Sequence, residues 1–101
     1  MRTRLELHEL LCDLLGSKEV YFQPPESIRM KYPCFVYELD TVNGPHANNH
    51  RYLKRKRYAL KYISRDPDNT MIDEILDLPY CRFDRRFRVD NLYHDCFDLY
   101  F

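Results

Sequence analysis

The leucines near the start of the chain recur three and four positions apart over the segment 4–15, with acidic residues between them. This spacing predicts an amphipathic helix with one apolar side. Gly16 follows the last leucine and predicts the end of the helix, because glycine readily adopts the left-handed conformation found there. Arg2 and Arg4 oppose the helix dipole, so we expect the first turn to fray or to be held by a partner.

Three apolar runs after this helix predict strands. Val20–Phe22 is brief and is soon followed by two prolines, which is typical of an edge strand. Cys34–Asp40 is rich in aromatic and β-branched residues and predicts a second strand. Tyr52–Ser64 alternates, with the side chains at 58, 60 and 62 on one side, and predicts a long strand paired with the second. The residues between these two strands predict an exposed loop of about ten residues, a length that is often functional.

A turn and a short helix are predicted next. Asp66–Asn69 has the residue types of a turn. Thr70 and Asp73 resemble a capping box that opens a helix, and Pro79 ends it. The apolar side of this helix is predicted to consist of Met71, Ile72, Ile75 and Leu76.

Two β-like runs, 81–89 and 93–101, close the sequence, and Asp90-Asn91 between them predicts a hairpin turn. In the last run the large apolar residues share one parity, with Asp95 as the exception. We therefore expect the last residues to be paired within the sheet.

These elements predict an α+β fold with a mainly antiparallel β-sheet, in which the N-terminal helix and the second short helix pack on one face. A chain of 101 residues supports one hydrophobic core and is too short for two, so residues 1–101 are predicted to form a single domain.

Charge and composition narrow the class of protein. The 16 basic and 16 acidic side chains cancel, so no global field draws the chain to nucleic acid or to an anionic membrane. No apolar run approaches the length of about 20 residues that spans a bilayer, and the first residues are too charged for a signal peptide. These features predict a soluble intracellular protein. The four cysteines are widely spaced among apolar residues and are expected to be buried free thiols, with a disulfide framework as the alternative.

The sequence contains no motif that predicts catalysis, a cofactor or a metal site. His46 and His50 are four apart but have no cysteine nearby, so a zinc site is not expected. His94 and Cys96 should face the same side of a strand, and a packed strand face explains them more simply than a nucleophilic thiol does. Glu38 with Asp40 is explained equally simply, as part of a solvated face rather than as metal-binding carboxylates. We therefore do not expect an enzyme.

The strongest local charge feature is a run of five basic residues within the segment 51–57. Beside Tyr52 and Tyr58 this run could bind nucleic acid through charge and stacking. In a strand, however, Lys54 and Lys56 face away from Arg55 and Arg57, and basic residues also protect sheet edges from aggregation. In a third interpretation the basic strand meets the acidic residues of the C-terminal hairpin, either within one subunit or across a subunit boundary; these residues are Asp90, Asp95 and Asp98.

Aromatic residues are abundant, with nine tyrosines and six phenylalanines. That number exceeds what a core of this size hides, and protein interfaces are enriched in aromatic residues and arginine. The composition therefore favours a protein that assembles with other proteins.

The order of these signals resembles the small tail-completion, or tail-terminator, proteins of long-tailed bacteriophages and prophages. The resemblance covers nearly the whole chain and is carried by the N-terminal helix and four tracts. The tracts are VYFQPP at 20–25, YPCFVY at 32–37, YALKYISRDPD at 58–68 and DCFDLYF at 95–101.

The resemblance implies a structural subunit, assembled in the host bacterial cytoplasm and located in the virion neck or tail. Such a subunit forms a ring, expected to be a hexamer, that caps the head-proximal end of the tail tube, ends tube growth and provides the joint to the head connector. Its partners would be itself, the tail tube protein and the head-completion or connector protein. Neither a membrane nor nucleic acid is expected as a partner, apart from DNA passing through the ring. The alternatives are a head-closure or minor capsid adaptor protein, and a small nucleic-acid-binding module.

In this interpretation, the long loop and the basic strand positions after it are candidates for contacts with other subunits or with the tube. The candidate interface residues are Asn43, His46, Asn49, His50, Arg51, Tyr52, Lys54, Arg55, Lys56 and Arg57.

Overall fold

The structure, a computed structural model, describes residues 3–25, 28–42 and 56–101. In chain order the elements are α1 (Arg4–Leu15), β1 (Val20–Phe22), β2 (Cys34–Val42), β3 (Lys56–Ser64), α2 (Met71–Leu76), β4 (Cys81–Val89) and β5 (Leu92–Tyr100). This order confirms the predicted one. The predicted long loop and the first four residues of the predicted strand 52–64 lie outside the described residues.

The five strands form one sheet in the order β1-β2-β3-β5-β4. β1 pairs with β2 in parallel, and the other three pairings are antiparallel. The mainly antiparallel sheet and the edge position of the brief β1 are therefore confirmed. β4 forms the opposite edge, and β3 and β5 occupy central positions.

Both helices contribute to one core on the same side of the sheet. Leu7 and Leu11 of α1 and Ile75 of α2 are fully buried there, in one cluster with alternate residues of the strands. The strand residues in this cluster are Val20, Phe35, Tyr37, Tyr58, Leu60, Tyr62, Phe97 and Leu99, and Phe101 follows β5. We call this side of the sheet the helix face, and its existence confirms the α+β fold with both helices packed on one face.

The first turn of α1 is held by contacts within the chain. The Thr3 side chain accepts a hydrogen bond from the Glu6 backbone N–H, and Glu6 accepts one from the Thr3 backbone N–H, each at 3.2 Å, so the two residues form a capping box. The Arg4 guanidinium lies 4.4 Å from the centre of the Phe22 ring. The expectation of a fraying or partner-held first turn is therefore wrong for the described residues, whereas the predicted end at Gly16, with φ 80°, is confirmed.

The start of α2 differs from the prediction. Thr70 makes no side-chain capping hydrogen bond, so the predicted capping box of Thr70 and Asp73 is wrong. Instead, Asn69 Oδ1 accepts a hydrogen bond from the Ile72 backbone N–H at 3.3 Å, because the preceding turn places its amide over the first turn of the helix. The predicted apolar side is correct except for Leu76, which is 40% exposed.

The β4–β5 hairpin matches its prediction. Asp90 and Asn91 both have positive φ, 53° and 62°, and Val89 lies opposite Leu92, as in a two-residue turn of type I′. Phe101 and Lys56 exchange two backbone hydrogen bonds, at 3.0 and 3.3 Å. The expected pairing of the last residues within the sheet is therefore confirmed.

Candidate partner-binding surface

The side of the sheet opposite the helix face carries three rows of side chains that cross four strands. We call it the open face, because the described helices contribute their buried residues to the other side. The first row contains Cys34, Ile63, His94 and Phe87. The second contains Val36, Lys61, Cys96 and Arg85, and the third contains Glu38, Ala59, Asp98 and Arg82.

The open face combines buried apolar side chains with partly exposed and charged ones. Cys34, Ile63 and Cys96 are 0%, 3% and 7% exposed, although they do not belong to the main core cluster. Val36 and Ala59 are half-buried, and so is Lys61 in the middle row. The surface is therefore mixed in character, as is common for protein interfaces.

Arg57 is one of the two predicted interface residues that the structure describes, and it lies on the open face. Its Nε and Nη2 atoms lie 2.9 and 2.6 Å from Asp40 Oδ2, and its side chain is one third exposed. Hydrogen bonds from the guanidinium to Asp40 and then to Tyr100 raise the pKa of Arg57. The ion pair links Asp40 of β2 to Arg57 of β3, and both side chains remain partly exposed. This agrees with the predicted solvated face of Glu38 and Asp40.

Lys56 is half-buried and lies on the other side of the strand from Arg57, which confirms that the basic run divides between two faces. Eight of the predicted interface residues lie outside the described residues. They are Asn43, His46, Asn49, His50, Arg51, Tyr52, Lys54 and Arg55.

The described part of the basic strand lies beside the acidic hairpin, as the third interpretation predicted, because β3 pairs with β5. Within the chain, however, the ion pairs of Asp95 and Asp98 are made with β4. Asp95 pairs with Arg86, with 2.5 Å between Oδ1 and Nε, and Asp98 pairs with Arg82 at 3.2 Å. Arg57 pairs with Asp40 of β2, and an ion pair across a subunit boundary stays a prediction.

His94 lies in a packed setting on the open face. Its ring stacks on Phe87, with centroids 4.7 Å apart and planes inclined by 11°. Burial, followed by the nearby Lys61 ammonium, lowers the pKa of His94 below the ordinary histidine value. The ring is therefore held in its neutral form by its surroundings.

The thiols lack the setting of a nucleophile. His94 and Cys96 share the open face, as predicted, but burial raises the pKa of Cys96 despite the opposing effects of Lys61 and Arg85. Burial also raises the pKa of Cys34 to about 12 and that of Cys81 to about 11. All four cysteines are free thiols, as expected, but only Cys34 and Cys96 are buried, whereas Cys12 and Cys81 are partly exposed. A raised pKa keeps a thiol protonated and unreactive near neutral pH.

The arginines of β4 form a second charged feature that the sequence pattern did not single out. Arg82, Arg85, Arg86 and Arg88 occupy four of the nine positions of this edge strand. The sequence does show arginines interleaved with phenylalanines in the segment 82–88. It does not show, however, that this strand lies at the edge of the sheet.

The described residues also bear on metal binding and on membrane-spanning helices. Within residues 3–25, 28–42 and 56–101, no group of three or more histidine, cysteine, aspartate or glutamate side chains is placed to hold a metal ion. In the same part of the chain, neither helix has the length and apolar character needed to cross a membrane.

No family model, curated protein or solved structure matches the chain.

Proposed function

We propose that this protein is a structural subunit of a phage neck or tail, which forms a closed ring at the head-proximal end of the tail tube. There it ends tube growth and provides the joint to the head connector. The resemblance described above supports the identity of the assembly. The geometry supports the more general part of the proposal, that the chain works by packing against other protein subunits.

The observation that carries the proposal is the one-sided layering of the sheet. Antiparallel sheets commonly pack one face on the core and leave the other accessible. Here the side chains partly exposed on that face include Val36, Ala59 and Lys61, with the ion pair Arg57–Asp40 at its edge. A surface that mixes apolar and charged groups in this way suits contact with another subunit.

The two edges of the sheet are unlike each other, and this favours a head-to-tail contact. β1 is a three-residue strand, whereas β4 has nine residues and four arginines. A ring of more than two subunits needs heterologous contacts, in which two different surfaces of the subunit meet, and the two unlike edges offer such a pair of surfaces.

Light scattering across a wide range of protein concentration tests the ring. We expect a closed species of about six subunits that persists on dilution. A monomer at every concentration, or a dimer with no larger species, would contradict the proposal.

A pair of charge reversals tests whether the open face is the contact. Lys61 lies in the second row of the open face, whereas Lys18 is exposed after α1. Lys61→Glu should raise the concentration at which the ring dissociates about tenfold or more, because it reverses the sign of a charge within the contact. Lys18→Glu should leave the ring unchanged. Equal behaviour of the two variants would remove the open face from the proposed contact.

A further inference from the structure

The outer edge of β4 presents unpaired backbone groups along most of its length. β4 is the last strand of the sheet and pairs only with β5 among the described strands. Seven of its nine residues are exposed. Such an edge can pair with a further strand unless the protein protects it.

The register shows which backbone groups point outward. The Tyr100 N–H donates to the Tyr80 carbonyl oxygen, and Val89 and Leu92 flank a two-residue turn, so both ends of the hairpin have hydrogen-bonded pairs. In an antiparallel ladder these pairs alternate with pairs that do not exchange hydrogen bonds, and a register shift between Phe83 and Arg85 makes the alternation from the two ends agree. The backbone N–H and C=O groups of Arg86 and Arg88 therefore point away from the sheet.

Arginine side chains flank this edge on both faces. The Arg85 guanidinium lies on the open face, 5.8 Å from the centre of the Phe87 ring, and the Arg88 guanidinium lies on the helix face, 5.8 Å from the centre of the Tyr93 ring. Among the described residues neither arginine forms an ion pair, although Arg88 Nη2 donates a hydrogen bond to Asn91 Oδ1 at 2.8 Å and Arg85 hydrogen-bonds with Cys96. A guanidinium placed over an aromatic ring is partly oriented and keeps N–H groups for a carboxylate.

From this combination we infer that the outer edge of β4 binds an extended acidic segment of another protein, which adds to the sheet as a sixth strand. The backbone of the segment pairs with the outward groups of β4. Its side chains alternate between the faces, so carboxylates on the two faces meet Arg85 and Arg88. The contact requires only the folded subunit, so it is independent of the ring proposed above.

Two other roles for these arginines fit the geometry less well. A nucleic acid strand would need its cations gathered on one face, whereas Arg85 and Arg88 lie on opposite faces. A second copy of β4 would place arginines beside arginines, and like charges on adjacent strands repel. An acidic extended chain pairs with the backbone of β4 and at the same time contacts Arg85 on one face and Arg88 on the other.

A synthetic acidic peptide of about nine residues, the length of β4, is the probe. Its glutamates occur in adjacent pairs, so that both faces carry carboxylates. Valine and threonine separate these pairs. A matched peptide has lysine in place of each glutamate. Fluorescence anisotropy should show binding of the acidic peptide and none of the lysine peptide. Binding of neither peptide, or of both equally, would overturn the inference.

Two substitutions at one position separate charge from strand pairing. Arg88→Ala removes the guanidinium but keeps the outward N–H, whereas Arg88→Pro removes both and leaves the β4–β5 ladder intact. Arg88→Ala should weaken binding severalfold, and Arg88→Pro about tenfold beyond that. Equal affinities of the two variants would show that the peptide does not pair with the edge.

A measurement on the unmodified protein tests strand addition without depending on the folding of the proline variant. Bound peptide should slow amide hydrogen exchange at Arg86 and Arg88 and leave Phe87, whose N–H already faces β5, unchanged. A single-stranded thymidine oligonucleotide serves as the competing ligand. Tighter binding of the oligonucleotide than of the peptide, or no change in exchange at Arg86 and Arg88, would contradict strand addition.

Discussion

Asp95 shows how a single buried charge is accommodated in this small core. Its side chain is fully buried, and its two oxygens bind Arg86. Asn69 Nδ2 donates to the same carboxylate at 3.3 Å, and Arg86 also donates to the Pro67 carbonyl oxygen at 2.9 Å. The carboxylate therefore joins β5 and β4 to the turn before α2.

Replacing Asp95 with asparagine should destabilise the protein strongly. Removal of one partner leaves the Arg86 charge without a counterion, and Arg86 is only 30% exposed. We expect a loss of about 3 kcal/mol in the free energy of unfolding. Urea denaturation of Asp95→Asn measures it.

Asp98→Asn is the matched control for this substitution. Asp98 pairs with Arg82, whose side chain is 75% exposed, so solvent screens the pair. The expected loss is below about 0.5 kcal/mol. Equal losses in the two variants would show that the Asp95 network has no special role.

His94 should make stability depend on pH. Because its pKa in the folded state is below the ordinary value of 6.5, the unfolded chain binds a proton more readily. The contribution of His94 to stability is therefore complete above pH 6.5 and is lost as pH falls toward the folded pKa. Urea denaturation between pH 5 and 8 should show a decline that is smaller in His94→Phe, which keeps an aromatic ring beside Phe87. An unchanged decline in that variant would contradict this assignment.

At the scale of elements, the two helices begin in different ways. α1 has a reciprocal capping box between Thr3 and Glu6, whereas α2 takes its first capping hydrogen bond from Asn69. Both helices have a threonine at the N-cap position, Thr3 and Thr70, and only the first uses its hydroxyl. Residue type alone therefore does not identify a cap.

Alanine at each threonine tests this difference. Thr3→Ala should lower the free energy of unfolding by about 1 kcal/mol, because a helix N–H loses its acceptor. Thr70→Ala should leave it nearly unchanged, since the Thr70 side chain makes no capping hydrogen bond. Thermal and urea unfolding of the two variants provide the comparison, and a greater loss in Thr70→Ala would contradict the capping geometry.

The strand elements were largely predictable from local patterns. The β4–β5 hairpin followed from alternation and from Asp90-Asn91, because few residues tolerate the positive φ that a type I′ turn requires. The α2 capping box was predicted wrongly because the same residue pattern also occurs in turns. Asn69 caps the helix instead, and its contact with Asp95, distant in the sequence, holds it there.

At the scale of the whole molecule, one-sided layering connects the fold to its proposed role. Both helices lie on the helix face, so the open face and the β4 edge remain for partners. The candidate site was only partly predictable. Arg57 was identified from the basic run, but Arg85 and Arg88 were missed, because their significance depends on β4 being an edge strand.

The elements, their order and the alternation of β3 and β5 could be read from the sequence, whereas the register shifts at Leu39/Thr41 in β2 and at Phe83/Arg85 in β4 could not. The properties that could be read are local, since the periods of helices and strands and the turn residues encode them within a few positions. The strand order β1-β2-β3-β5-β4 and the parallel pairing of β1 join residues far apart in the sequence, so they follow only from the folded structure. The same holds for the ion pairs of Asp95 and Asp98, because the register sets these carboxylates opposite Arg86 and Arg82 of β4 but opposite Tyr62 and Ala59 of β3.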